Sequence, residues 1–187
     1  MNRREAISAV ALLLGGTVVG ADLLVSCTPQ SKKVDNLFDK NVVAELNEVA
    51  DTILPATSTP GAKAANVGEF MSRMVTDCYT KDDQEVFKKG ISQLNEASDK
   101  KYSKPFMELN AKQRTELLTG LDAEQKKYMA SKKEDAPSHY FRMMKELTLL
   151  GYFTSEIGAT QALRYVPVPG RYDGCIDYKK GDRAWAT

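Results

Sequence analysis

Few residues in this chain are equipped for chemistry. The sequence holds a single histidine, His139, and three cysteines, Cys27, Cys78 and Cys175. A hydrolytic arrangement needs a nucleophile and a base within reach, and Ser155 with Glu156 is the pair that invites comparison with His139. The histidine falls roughly four helical turns upstream of that pair, and no G-x-S-x-G turn is present to lift a serine clear of its backbone. A lone histidine directly before Tyr140 and Phe141 reads as a helix-end or packing residue, not as a base. The sequence has no G-x-G-x-x-G after a strand and no G-x-x-x-x-G-K-[ST], so it offers no nucleotide cradle. It also lacks C-x-x-C and C-x-x-C-H, which removes the usual zinc, thioredoxin-like and haem readings. The expectation is a chain without catalytic, cofactor-binding or metal-binding residues of its own.

Composition agrees. The 187 residues are 42% hydrophobic and 27% charged, with 26 basic against 25 acidic side chains and a net charge of +1. That length suits one domain with a real core. A nucleic-acid binder would show a basic stripe, and the balanced charge speaks against one.

The first residues read as an export address. Arg3 and Arg4 precede an apolar run from Ala6 to Ala21, weakened by Gly15, Gly16 and Gly20 and shorter than the roughly 20 residues that a spanning helix needs. The arginine pair fits a twin-arginine signal; the general secretory route is the alternative. Leu24-Val25-Ser26-Cys27 looks like a bacterial lipobox, with Cys27 as the lipidated residue. The alternatives are an ordinary cysteine beside a cleavage site or an uncleaved anchor. Several acyl chains, at roughly 0.8 kcal/mol per buried CH₂, would hold the protein on a membrane. Residues 1–26 are then signal, 27–36 a polar tether, and 37–187 the folded domain on the periplasmic side of a bacterial membrane.

The domain is patterned for helices. Val42, Val43, Leu46, Val49, Ala50, Ile53 and Leu54 trace one face, stopped by Pro55 and the turn-rich stretch to Gly61. Asn66 and Glu69 look like a capping box for a helix carrying Val67, Phe70, Met71, Met74, Val75 and Cys78. Thr80 with Asp82 and Asp83 opens a third helix that ends in 98–104, and Asn110 with Gln113 caps a fourth with Leu117, Leu118 and Leu121. The charged stretch 122–135 is solvated helix or loop. Pro137 fits a first helical turn, and Tyr140, Phe141, Met144, Leu147, Thr148 and Leu150 form the stripe of the last long helix. No window alternates as a strand does. The fold class is all-α: a single-domain helical bundle with an irregular, aromatic, Pro/Gly-rich C-terminal segment packed on it. That segment carries Tyr165, Tyr172, Tyr178 and Trp185. Either it completes the core or it offers aromatics to a partner. With Cys27 lipidated, Cys78 and Cys175 are left as an even pair in an oxidising compartment. A disulfide between them would pin the tail to the bundle, at roughly 4–5 kcal/mol on the chain-entropy model; two separate thiols are the alternative.

Two stretches resemble a known family. One is Ile53-Leu54-Pro55 with Thr59-Pro60-Gly61-Ala62 and the helix to Met74. The other is Lys145-Glu146-Leu147-Thr148, then Gly151 to Gly158 (GYFTSEIG), Tyr165 to Cys175 (YVPVPGRYDGC), and Ala184-Trp185-Ala186. Together they resemble the gluconate 2-dehydrogenase subunit 3 family over roughly 38–187. The resemblance implies a small, cofactor-free subunit of a membrane-associated dehydrogenase complex. The large subunit would be an FAD flavoprotein of the glucose–methanol–choline oxidoreductase type, with a cytochrome c subunit bearing haem c as a further partner. It also implies escort of the FAD-loaded flavoprotein through the twin-arginine machinery, and the lipobox adds tethering. Tyr152, Phe153, Ser155, Glu156, Tyr165, Tyr172 and Trp185 are the candidate docking residues. The competing reading of the GYFTSEIG segment is structural: a helix end capped by Gly158, with Ser155 or Glu156 capping the next turn. The competing function is a stand-alone exported lipoprotein that binds a ligand or scaffolds.

Overall fold

The computed structural model describes residues 37–168, 170–171 and 174–186. Arg3, Arg4, Cys27 and Tyr172 lie outside the described residues, and so do the signal and tether. The chain divides into units Met1–Asp35 and Asn36–Thr187, and the described residues all belong to the second.

Five α-helices form among the described residues: α1 Lys40–Ile53, α2 Val67–Cys78, α3 Lys81–Tyr102, α4 Ala111–Ser131 and α5 Tyr140–Phe153. A 3₁₀ turn, Phe106–Glu108, joins α3 to α4, and a π-helical turn, Gly158–Ala162, follows α5. No strand occurs among the described residues, so the all-α class read from the periodicity is the class found. None of the described helices is long and apolar enough to cross a membrane.

The helix starts show how local chemistry sets the boundaries. The Asp39 carboxylate accepts from the N–H groups of Asn41 and Val42 at 2.8 and 2.9 Å, which satisfies two donors that have no intrahelical partner. Thr80 Oγ1 accepts from Asp83 N–H at 3.2 Å and donates to the Asp83 carboxylate at 2.7 Å. Asn110 and Gln113 form a reciprocal capping box, at 2.9 and 3.1 Å. The Asn66–Glu69 box does not form. Backbone bonds from Asn66 N–H to Lys63 and from Val67 N–H to Ala62 wind the chain tightly before α2. Asn66 is left in the left-handed region at φ 52°, where its side chain makes no cap bond. Glu69 pairs instead with Arg73 at 3.2 Å. The charged stretch 122–135 divides at Lys132. Helix α4 runs through Ser131, and the Lys132 ammonium then donates to the carbonyls of Lys133, Glu134 and Ala136. Pro137 lies in that loop, ahead of the His139 cap, not inside the first turn of α5.

Helix α5 packs against all four of the other helices. Leu46, Val49, Met71, Val75, Phe87 and Leu94 are fully enclosed around it, together with its own Phe141 and Met144. The 3₁₀ turn drives Phe106 into the same core, where Asn95 Oδ1 accepts from Phe106 N–H at 3.1 Å. An ion-pair cluster closes the edge of the bundle. Glu48 on α1 pairs with Lys63 and with Arg114 on α4. The Arg114 guanidinium also donates to the Met107 carbonyl at 2.8 Å and lies 5.4 Å from the Phe106 ring centre. The hydrogen bond from Lys63 is the main influence holding the Glu48 carboxyl below the ordinary carboxylate range; Arg114 adds to it against the opposing effect of burial.

Glu48→Gln should therefore cost about 2 kcal/mol at neutral pH, because it leaves a largely enclosed guanidinium without its anion. The folded carboxyl titrates below the unfolded one, so its contribution is complete above pH 4.5 and is lost as pH falls through the lowered value. Urea unfolding of both forms should show a gap that is wide at pH 7 and narrows below pH 4.5. A gap that does not change with pH would contradict the assignment.

Candidate docking surface

Position on α5 decides which candidate residues reach solvent. The helix buries Tyr140, Phe141, Met143, Met144, Leu147, Thr148, Gly151 and Tyr152. At about 100° per residue the remaining positions are turned outward. Near its start that outer face carries Arg142 and Glu146, paired as ions. Near its end it carries Leu149, Leu150 and Phe153, which are 39%, 47% and 38% exposed. Leu150 thus belongs to an outward apolar ridge and not to the core stripe. The signal was in the sequence: a helix that already buries Leu147, Thr148, Gly151 and Tyr152 has no inward direction left for Leu149 and Leu150.

Tyr152 is not available for docking. It is 4% exposed, and its hydroxyl donates to the Pro60 carbonyl at 2.7 Å, tying the end of α5 to the turn after α1. Its ring meets Phe153 edge-on at 5.2 Å. Ser155 is half-buried and structural. Its Oγ donates to the Tyr152 carbonyl at 2.6 Å and accepts from Gly158 N–H at 3.0 Å, while its carbonyl accepts from Ala159 N–H. Ser155 therefore caps the short helical stretch that begins at Glu156 and leads into the π-helical turn, whereas Thr154 is the residue that ends α5. Gly158 opens that turn, packed so tightly that a Cβ there would sit 1.9 Å from the Tyr152 carbonyl oxygen. Glu156 is exposed.

Among the described residues, the tail does not complete the core. Core and packing residues end at Ala162, while Tyr165, Val168, Ile176, Tyr178 and Trp185 are all exposed. The tail closes on itself instead. Arg164 N–H donates to the Ala184 carbonyl at 2.8 Å, and Ala186 N–H donates to the Arg164 carbonyl at 3.0 Å. The Arg164 guanidinium lies 4.7 Å from the Trp185 ring centre. A turn at Lys179–Asp182 reverses the chain, with Gly181 at φ +100° where a side chain would be strained. Cys78, at the end of α2, and Cys175, in this loop, are exposed free thiols, so the expected bridge is not formed. The tail is fastened at Arg164.

His139 and Ser155 stand at opposite ends of α5, separated by roughly 20 Å of helix, so no nucleophile–base pair assembles between them. No group of three or more potential metal-ligating side chains occurs among the described residues.

A family model described as gluconate 2-dehydrogenase subunit 3 matches residues 41–170. The chain belongs to the gluconate 2-dehydrogenase subunit 3 family. Comparisons with curated proteins and with solved structures gave no match. The family is that of a small accessory subunit of a dehydrogenase complex. The matched span contains the Leu149–Leu150–Phe153 ridge, the Ser155 cap and Tyr165, and stops before Cys175, Ile176, Tyr178 and Trp185. Leu149 and Ile176 are exposed apolar residues that carry no motif, and Leu150 has the periodicity of the core stripe but faces outward.

The tight turn after α5 can be tested directly. Gly158→Ala should destabilise by at least about 2 kcal/mol, since the new methyl meets backbone and not a movable side chain. Ser155→Ala should cost about 1 kcal/mol, through loss of the cap. Thermal melts of the two variants should fall in that order; a Gly158→Ala protein as stable as the parent would refute the packing described.

Proposed function

We propose that this chain is the non-catalytic small subunit of a membrane-associated, FAD-dependent dehydrogenase of the glucose–methanol–choline type. It binds the flavoprotein in the cytoplasm, escorts it through twin-arginine export and holds it at the periplasmic face through lipidated Cys27. Family membership carries this reading. Arg3 and Arg4 ahead of the Ala6–Ala21 run, and the Leu24–Cys27 lipobox, support the export and anchoring parts. The ridge of Leu149, Leu150 and Phe153, with Tyr165 and Trp185 exposed beyond it, supports docking by apolar contact. An exporter of folded proteins suits a passenger whose cofactor is inserted before crossing. A cytochrome c subunit with haem c would take the electrons, and substrate choice would rest with the flavoprotein, so "gluconate" need not be the substrate.

Co-expression with the flavoprotein tests each part. Arg3→Lys/Arg4→Lys should lower periplasmic dehydrogenase activity at least tenfold and leave the flavoprotein in the cytoplasm. Cys27→Ala should move the complex from the membrane to the soluble periplasmic fraction. Leu150→Ser/Phe153→Ser changes exposed positions only, and should keep the fold while reducing the flavin absorbance that co-purifies. Flavoprotein reaching the periplasm undiminished without this chain would overturn the escort role.

A further inference from the structure

The start of α5 is capped by an unusual residue. An N-cap is ordinarily Ser, Thr, Asp or Asn, whose oxygen accepts a hydrogen bond at any neutral pH. Here the cap is His139, with an extended backbone at φ −66° and ψ 133°. Its Nδ1 accepts from Phe141 N–H at 3.2 Å. Only an unprotonated Nδ1 can accept, which assigns the ring hydrogen to Nε2. An imidazolium has donors on both nitrogens, and it would set a positive charge against the positive end of the helix dipole.

The surroundings hold the neutral ring and also provide a place for the charged one. His139 stacks on Tyr140 with 4.6 Å between ring centres and meets Tyr128 of α4 edge-on at 5.6 Å. Tyr128 in turn donates to the Pro137 carbonyl at 3.0 Å, which fixes the loop on which the histidine sits. Beside it opens a cleft of about 500 Å³ between α3, α4 and the start of α5. The ionisable side chains facing this cleft are Glu96 and Lys100 from α3, Glu124 and Tyr128 from α4, and Tyr140 from α5. Two carboxylates against one ammonium make the cleft favourable for a cation.

We propose that His139 is a proton-sensitive latch on α5: neutral, it caps the helix; protonated, it releases Phe141 N–H and turns towards Glu124 and Glu96 in the cleft. The chain contains no other histidine, so no second imidazole titrates with it. Burial lowers the His139 pKa below the ordinary 6.5, and the charge of Glu124 opposes this less strongly. The folded chain therefore binds the proton less readily than the unfolded one, so the cap contributes fully above pH 6.5 and is lost as pH falls through the lowered value. In the proposed periplasmic setting the latch would meet the pH outside the cell.

The test uses the full chain without any partner, so it is independent of the proposed function. The imidazole is titrated by NMR, and exchange of the first amides of α5 is followed between pH 7 and pH 5, corrected for intrinsic rates. The His139 pKa should lie below 6.5, the Phe141 amide shift should follow the same curve, and protection in that turn should fall at least about threefold as the imidazole becomes charged. His139→Asn keeps an acceptor at the cap but cannot titrate, so it should remain folded and lose that fall in protection. Glu124→Gln should move the midpoint to lower pH. An imidazole titrating at or above 6.5, a Phe141 amide indifferent to it, or the same pH dependence in His139→Asn would each overturn the latch.

Discussion

The structure depends on the burial of one short helix. Helix α5 spans Tyr140–Phe153 and packs against each of the other four helices, so its inward face must be unusually wide. Eight of its fourteen residues are buried. At roughly 25 cal/mol per Å² of apolar surface removed from water, no other element among the described residues is placed to contribute as much to a shared core. Each end is then fixed by a polar bond. His139 closes the first turn, and the Tyr152 hydroxyl reaches the Pro60 carbonyl at the last. These bonds set where along its axis the helix sits, a thing that apolar contact leaves loosely determined.

The rest of the bundle completes the enclosure from its edges. Helix α1 meets α4 through Glu48 and Arg114, and Arg114 in turn covers Phe106, on the 3₁₀ turn that packs against α3 and α1. Asn95 links the same turn to α3 and donates to Glu45 on α1 at 2.6 Å. Burial pushes the Glu45 carboxyl above the ordinary carboxylate range, with the Asn95 hydrogen bond acting the other way. Glu45 and Glu48 thus lie one turn apart on α1 with opposite responses to acid. The cause is their surroundings: burial dominates at Glu45, whereas two cations pair with Glu48.

Much of the fold was legible because helices announce themselves in a 3.6-residue repeat and in polar residues at their starts. Thr80–Asp83 and Asn110–Gln113 were readable from residue type and spacing alone, since such caps are made by neighbours in sequence. Asn66–Glu69 has the same spacing, but the tight turn before it holds Asn66 at positive φ, and the cap geometry cannot form. Phe106 carries no periodic signal, because a single 3₁₀ turn is too short to repeat. The exposure of the candidate docking residues was less legible than the helices. Tyr152 and Phe153 are adjacent and chemically alike, and only the helix rotation makes one a core residue and the other a surface residue. The tail was harder still, since its irregular backbone has no repeat to say which side faces the bundle. Its closure by Arg164 and Trp185 joins residues far apart in sequence.

That contrast bears on how a docking surface on this chain would work. Leu149, Leu150 and Phe153 project from the same turn that holds Gly151 and Tyr152 in the core, so their backbone is already ordered before any partner arrives. Tyr165, Val168, Ile176 and Tyr178 stand on a loop that is fixed at its base by the Arg164–Trp185 pairing and otherwise exposed. Ordering a side chain or loop at an interface costs about 0.5–1.5 kcal/mol for each rotamer-rich residue immobilised. In the proposed complex the ridge would therefore return more binding free energy per apolar residue than the loop does. The loop's aromatics would adapt to the partner's surface, and their loss one at a time should matter less than loss of Leu150 or Phe153. The helix that the core depends on would then also be the one that carries the partner, and α5 would serve both the proposed assembly role and the fold's stability.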